Sequence, residues 1–127
     1  MTQHSGLTLA YLGDAYYELQ IRTYLMSKGY TKVNDLHKLA IMYTSALGQS
    51  KSVQYLVNSF LTEDEISVYK RGRNATSTHK PKNADLDTYR QATGFEALIG
   101  FLLLENQFER LEQIILKSIA IIEELPQ

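Results

Sequence analysis

LAYLGDAYYEL, Leu9 to Leu19, carries a contradiction. The segment has helical spacing, and Leu7 and Ile21 stand seven residues to either side of Asp14, with Ala10, Tyr11 and Tyr17 three or four away. On a helix these positions share one stripe, which is apolar apart from Asp14. An acid on such a face is expected to be drawn out of water, where an ionised carboxylate is costly unless something answers its charge.

A second acid repeats the pattern. In QATGFEALIGFLLLE, Gln91 to Glu105, Glu96 shares a helical stripe with Tyr89 and Leu103, and Ala92, Thr93, Ile99 and Gly100 lie beside it. Both acids are flanked by small residues: Ala10 and Gly13 in one case, Ala92, Ala97 and Gly100 in the other. Small residues let two helix backbones approach, so the simplest packing crosses the two helices where Asp14 meets Glu96. Such a pair persists if it shares a proton, is hydrogen-bonded or holds a cation. Mg²⁺ suits two acids, because it keeps several waters and takes substrate phosphate oxygens as further ligands. The competing account is a carboxylate tied to one of nine tyrosines, with no role beyond the core. Glu18 fits a surface pair with Arg22 four residues on.

Around these helices the chain reads as all-α and as one domain over residues 1–127. A helix is expected from Ser5 to Lys28, ended by Gly29. A second starts at Asn34 or Asp35 and runs to about Thr44, and a third follows with little break. Thr62 and Glu65 have capping-box spacing for a fourth, towards Arg73. GRNATSTHKPKNAD, Gly72 to Asp85, is the clear loop. Two more helices run from about Leu86 to Glu105 and from about Phe108 to Glu124.

Composition narrows the function classes. With 44% hydrophobic and 21% charged residues the chain is too apolar for a disordered tail. It has no cysteine, which excludes disulfides and thiolate metal sites. The start, MTQHSG, has no secretory pattern, and no apolar run is long enough for a membrane, so a cytoplasmic protein without a membrane partner is expected. His4, His37 and His79 have no metal-ligand spacing, and there is no P-loop. Net charge is −1, yet Lys70, Arg71, Arg73, Lys80 and Lys82 form a basic island with no acid between Lys70 and Lys82. A local anion site is expected there, with Asn74 and Asn83 as additional donors.

LGDA with the preceding residues resembles the signature helix of the ribonuclease III family, and FEALIG resembles that family's second catalytic segment. KRGRNA and HKPKNAD resemble its bacterial Mini-III branch, short catalytic domains without a double-stranded-RNA-binding domain. The resemblance covers nearly the whole chain. It departs from full-length ribonuclease III at Ala10 and Thr93, where that family carries further acids; the Mini-III branch is similarly reduced.

The resemblance implies the ribonuclease III helical bundle in a homodimer and a Mg²⁺-dependent endoribonuclease, with Mn²⁺ as a possible substitute. Asp14 and Glu96 would ligate the metal. Lys70, Arg71, Arg73, Asn74, Lys80, Lys82 and Asn83 would contact RNA. The substrate implied is double-stranded RNA at the ends of the large-subunit (23S) rRNA precursor, with a ribosomal protein as a further possible partner. Products would carry a 5′ phosphate and a 3′ hydroxyl. The alternative is a catalytically silent module of the same fold that binds RNA or the ribosome, for which the missing acids at Ala10 and Thr93 speak.

Overall fold

The computed structural model describes residues 4–75 and 85–126. Six helices follow one another: α1 (Gly6–Ser27), α2 (Val33–Thr44), α3 (Ala46–Ser59), α4 (Glu63–Arg73), α5 (Leu86–Leu104) and α6 (Phe108–Glu124), with no strand among the described residues.

The helix ends follow from their capping chemistry. The Ser5 hydroxyl accepts from the Thr8 amide at 3.1 Å and opens α1. Gly29, at φ +99°, takes the left-handed step after the C-cap Lys28. Thr62 and Glu65 make the capping box of α4: the Glu65 amide donates to the Thr62 hydroxyl at 3.2 Å, and the Thr62 amide to the Glu65 carboxylate at 2.9 Å. Asp85 caps α5, accepting from the Thr88 amide at 2.8 Å. The start of α2 differs from expectation. Lys32 is its N-cap and makes no side-chain cap bond, so Asn34 and Asp35 lie inside the first turn. There Asp35 still favours the positive end of the helix dipole. Ser45 both ends α2 and caps α3, its hydroxyl accepting from the Gly48 amide at 3.1 Å.

Helix α5 is the centre of the bundle, with α1, α3, α4 and α6 packed on it. Its residues are buried nearly all round from Ala92 to Leu102, as expected of a helix enclosed by others. The core is built from Tyr17, Ile21, Leu56, Phe95, Leu98, Ile99, Leu102, Leu111 and Ile114, all buried. Tyr17 meets Phe95 edge to face, ring centroids 5.0 Å apart, while its hydroxyl donates to the Tyr43 carbonyl at 3.0 Å. No helix among the described residues is long and apolar enough to cross a membrane.

Two crossings on α5 place the functional region. At the first, α1 lies against α5 so closely that a Cβ on Gly13 would stand 1.8 Å from the Glu96 carbonyl oxygen, and one on Gly100 2.0 Å from the Leu9 carbonyl oxygen. At the second, α4 meets α5 at Gly72, where a Cβ would fall 2.5 Å from the Ala97 methyl. Gly6 at the start of α1 abuts the Arg71 carbonyl, which closes the triangle of α1, α4 and α5.

Candidate active site

The α1–α5 crossing brings Asp14 and Glu96 together. Asp14 follows Gly13 on α1, and Glu96 is the residue whose backbone Gly13 touches. The Glu96 carboxyl is pushed up to about 8. Burial contributes most; the negative charge and the hydrogen-bonding contact of Asp14 add to it, and the Gln49 side chain acts in the opposite direction.

The burial of the two acids departs in part from the stripe reading. Glu96 is half-buried, whereas Asp14 is exposed. The stripe is divided lengthwise: Ala10, Tyr17 and Ile21 turn into the core, while Leu7, Tyr11 and Asp14 turn outward, Tyr11 with 83% of its surface exposed. Asp14 is thus the rim of the site and Glu96 its floor. The buried tyrosine hydroxyls serve elsewhere: Tyr17 on a backbone carbonyl, Tyr43 on Glu123 at 2.8 Å. Glu18 pairs with Arg22 at 3.0 Å, on the surface as expected. Thr93 donates to the Tyr89 carbonyl one turn back at 3.0 Å, and Ala10 is buried in a small apolar cluster with Leu9 and Ala97. Neither adds a ligand.

Gln49 is a neighbour of the pair that the sequence reading passed over. It is buried on α3, and its amide contacts Glu96. A signal was available, since Gln49 has Val53 and Leu56 four and seven residues on, the same polar-on-apolar spacing that exposed Glu96.

The basic residues resolve into two groups. Lys70, Arg71 and Arg73 are helical, in the last turn of α4, with Asn74 as its C-cap. Cations there complement the helix dipole, so these three belong to the helix rather than to a loop. Lys70, Arg71 and Asn74 line an open groove of about 610 Å³ with Glu63, Ile66 and Ser67. Arg71 donates to the His4 carbonyl at 2.6 Å. Arg73 stacks over the Tyr69 ring, 5.6 Å from its centroid, and donates to Asn74 Oδ1 at 3.3 Å. This turn packs on α5 beside Ala97, the residue after Glu96, so the cations flank the acid-bearing segment. Lys80, Lys82 and Asn83 lie outside the described residues.

Chemically, the site is a paired carboxylate with a neutral amide beside it and positive charge on one flank. Among the described residues no three His, Cys, Asp or Glu side chains gather tightly enough to hold a metal by themselves. The donor set nonetheless fits a hard, oxygen-seeking divalent ion that retains water, because the floor carboxyl is drawn out of water, chiefly by burial, beside the second carboxylate of Asp14.

Comparison with known proteins bears on this geometry. A family model described as the ribonuclease III domain matches residues 7–107. The chain is 55% identical over 114 residues to Mini-ribonuclease 3 of Enterococcus faecalis, covering 89% of this chain and 86% of that one. It is 45% identical over 119 residues to Mini-ribonuclease 3 of Staphylococcus aureus, covering 93% and 89%. An X-ray crystal structure of a Fusobacterium nucleatum protein superposes with a TM-score of 0.82 at 35% identity, covering 97% of this chain and 96% of that one.

Proposed function

The chain belongs to the Mini-ribonuclease 3 group of the ribonuclease III domain family and is an endoribonuclease; from that premise we propose that it cuts double-stranded RNA at Asp14 and Glu96 with a divalent ion, Mg²⁺ or in its place Mn²⁺. The observation that carries this reading is the convergence of those two carboxylates at the α1–α5 crossing.

When bound, the ion supplies an activated water for in-line attack and a positive charge at the leaving 3′ oxygen. Asp14 stands at the rim, where it can meet an incoming ion without a conformational change, and Glu96 supplies the second carboxylate from the floor. Both must be ionised to do so, and the neighbouring Gln49 amide favours the charged form of Glu96. Lys70, Arg71, Arg73 and Asn74 hold the phosphate backbone along the flank, joined by Lys80, Lys82 and Asn83. A-form RNA is gripped through phosphates and 2′-hydroxyls rather than base edges, which suits this charge arrangement. Cleavage leaves a 5′ phosphate and a 3′ hydroxyl.

The working form is a homodimer, one site per subunit and one strand cut by each. The exposed Leu7 and Tyr11 beside the site, with Leu19 and Met26 further along α1, are apolar surface that a second copy can cover. The substrate is the paired end region of the large-subunit rRNA precursor, in the cytoplasm, with a ribosomal protein as a possible aid.

The test is cleavage of paired 23S precursor RNA by wild type and Asp14→Asn, with and without Mg²⁺. Wild-type cutting that requires Mg²⁺ and is lost in the variant is expected; equal cutting by both refutes the assignment.

A further inference from the structure

Helices α1 and α6 enclose an open groove of about 340 Å³, lined on one side by Tyr16, Gln20 and Tyr24 and on the other by Glu112, Leu116 and Ile119. Its α6 wall is largely apolar: Ile119 is buried at the bottom, and Leu116 on the rim keeps 53% of its surface exposed. At one end the Tyr24 hydroxyl donates to Glu123 and ties the two helices together. Tyr16 follows Tyr11 by five residues, about 140° round a helix. The groove therefore opens away from Asp14 and from the Leu7–Tyr11 surface.

Charge on α6 is sorted by face. Its two cations are engaged elsewhere: Arg110 holds Glu65, and Lys117 stands 6.0 Å from the centre of the Phe60 ring. Glu112 and Glu123 are exposed and make no salt bridge among the described residues. Eleven residues apart, they share one side of the helix, about 16 Å from each other along its axis, with Leu116 and Ile119 between them. Lys28 lies over the Tyr24 ring, 5.4 Å from its centroid, rather than on either acid. No cation lines the groove among the described residues.

An apolar channel bracketed by two unanswered carboxylates fits an occupant with the opposite pattern. RNA is repelled by these acids. A second copy suits the groove poorly, because outside Lys70–Lys82 the chain holds all fourteen of its acids and only eight of its thirteen bases. We propose that the groove docks a basic amphipathic helix of another protein: an apolar stripe laid between α1 and α6, with a Lys or Arg towards each end, three turns apart, meeting Glu112 and Glu123. A partner docked there leaves Asp14 open to RNA.

The experiment titrates the isotope-labelled full chain with a synthetic amphipathic helix, a leucine stripe with two lysines eleven positions apart, and follows the backbone amides by NMR. Saturable shifts confined to the groove, at Gln20, Thr23 and Leu116, are expected. The same peptide with glutamates in place of both lysines should not bind. Glu112→Lys should reverse this preference, weakening the lysine peptide by about tenfold or more and taking up the glutamate peptide. Circular dichroism confirms folding, and Glu112→Gln, with a reduced preference for the lysine peptide, carries the test if Glu112→Lys does not fold. Absence of a saturable shift, shifts centred outside the groove, or equal affinity for the two peptides overturns the proposal. Two further outcomes also overturn it by naming another occupant. Movement of the groove amides by an RNA duplex assigns it to RNA, and loss of a dimer in Leu116→Lys, read by sedimentation, assigns it to a second copy.

Discussion

Gly13 on α1 and Gly100 on α5 lie back to back: a Cβ added to Gly13 would stand 2.8 Å from the Gly100 nitrogen, and one added to Gly100 would stand 3.2 Å from the Gly13 nitrogen. The obstacles are main chain, which cannot rotate aside as a side chain can. Asp14 and Glu96 meet because the two backbones touch at this point.

Replacing either glycine with alanine should therefore part the helices. Alanine gains about 1 kcal/mol in helix propensity, but overpacking against rigid backbone costs about 3 kcal/mol, the upper end of its usual range. Gly13→Ala and Gly100→Ala are expected to lower the thermal midpoint clearly, and surviving protein should cut RNA poorly. An unchanged melting curve would show that the crossing is looser than described.

Glu96 makes stability depend on pH. Its folded pKa, raised to about 8, lies above the ordinary value of 4.5. The folded state binds the proton more tightly, so the contribution is fully present below about 4.5 and is lost as pH rises through 8. Metal-free protein should lose stability across that window, and Mg²⁺ should restore it. Asp14→Asn should lower the Glu96 midpoint while leaving it above 4.5, because burial, the larger cause, remains. Carbon-13 NMR of the glutamate carboxyls reads both midpoints; a Glu96 titrating near 4.5 in the wild type would contradict the geometry.

Lys70 makes no salt bridge among the described residues and lines the open groove on the flank of α4. Lys70→Ala should weaken binding about equally for unrelated RNA duplexes. It should also reduce the slope of log affinity against log salt by about 1, as expected for one lost phosphate contact. Filter binding across a salt series measures this, and an unaltered slope would remove Lys70 from the interface.

The Arg110–Glu65 pair stabilises the fold away from the chemistry. Arg110 donates twice to the buried Glu65 carboxylate, at 2.8 Å each, once to the Phe60 carbonyl, and stacks on the Phe60 ring. Burial works to raise the Glu65 pKa, but the hydrogen bonds from Arg110 and Thr62 outweigh it and hold the carboxyl below its ordinary value. Its stabilising effect is present above that ordinary value and lost as pH falls through the lowered one. Arg110→Met strands a buried acid and should cost about 3 kcal/mol in urea denaturation while folded protein keeps its RNA cleavage. A loss of cleavage without a loss of stability would reverse this assignment.

Much of this was legible in the sequence because the signals are local. Ser5, Gly29 and the Thr62–Glu65 box mark helix ends through bonds that span at most a few residues, and the structure reproduces them. The meeting of Asp14 with Glu96 was legible because small residues on both helices permit it. Periodicity, however, specifies which residues share a face, not how far that face is turned from the core. Hence Asp14, expected inside, stands at the rim with Tyr11. Lys32 starts α2 without a cap bond, so nothing local announces it. Gln49 passed unnoticed because an amide among serines and a lysine looks like surface until α5 covers it.

The central position of α5 also governs when the enzyme can exist. Asp14 and Glu96 stand eighty-two positions apart, and the helix that carries Glu96 is the fifth of the six described. A nascent chain ending before α5 has the first acid but neither its companion nor the centre around which the other helices pack. Fragments of this protein that end before α5 therefore hold only one of the two carboxylates, and the pair forms only once that helix has been made.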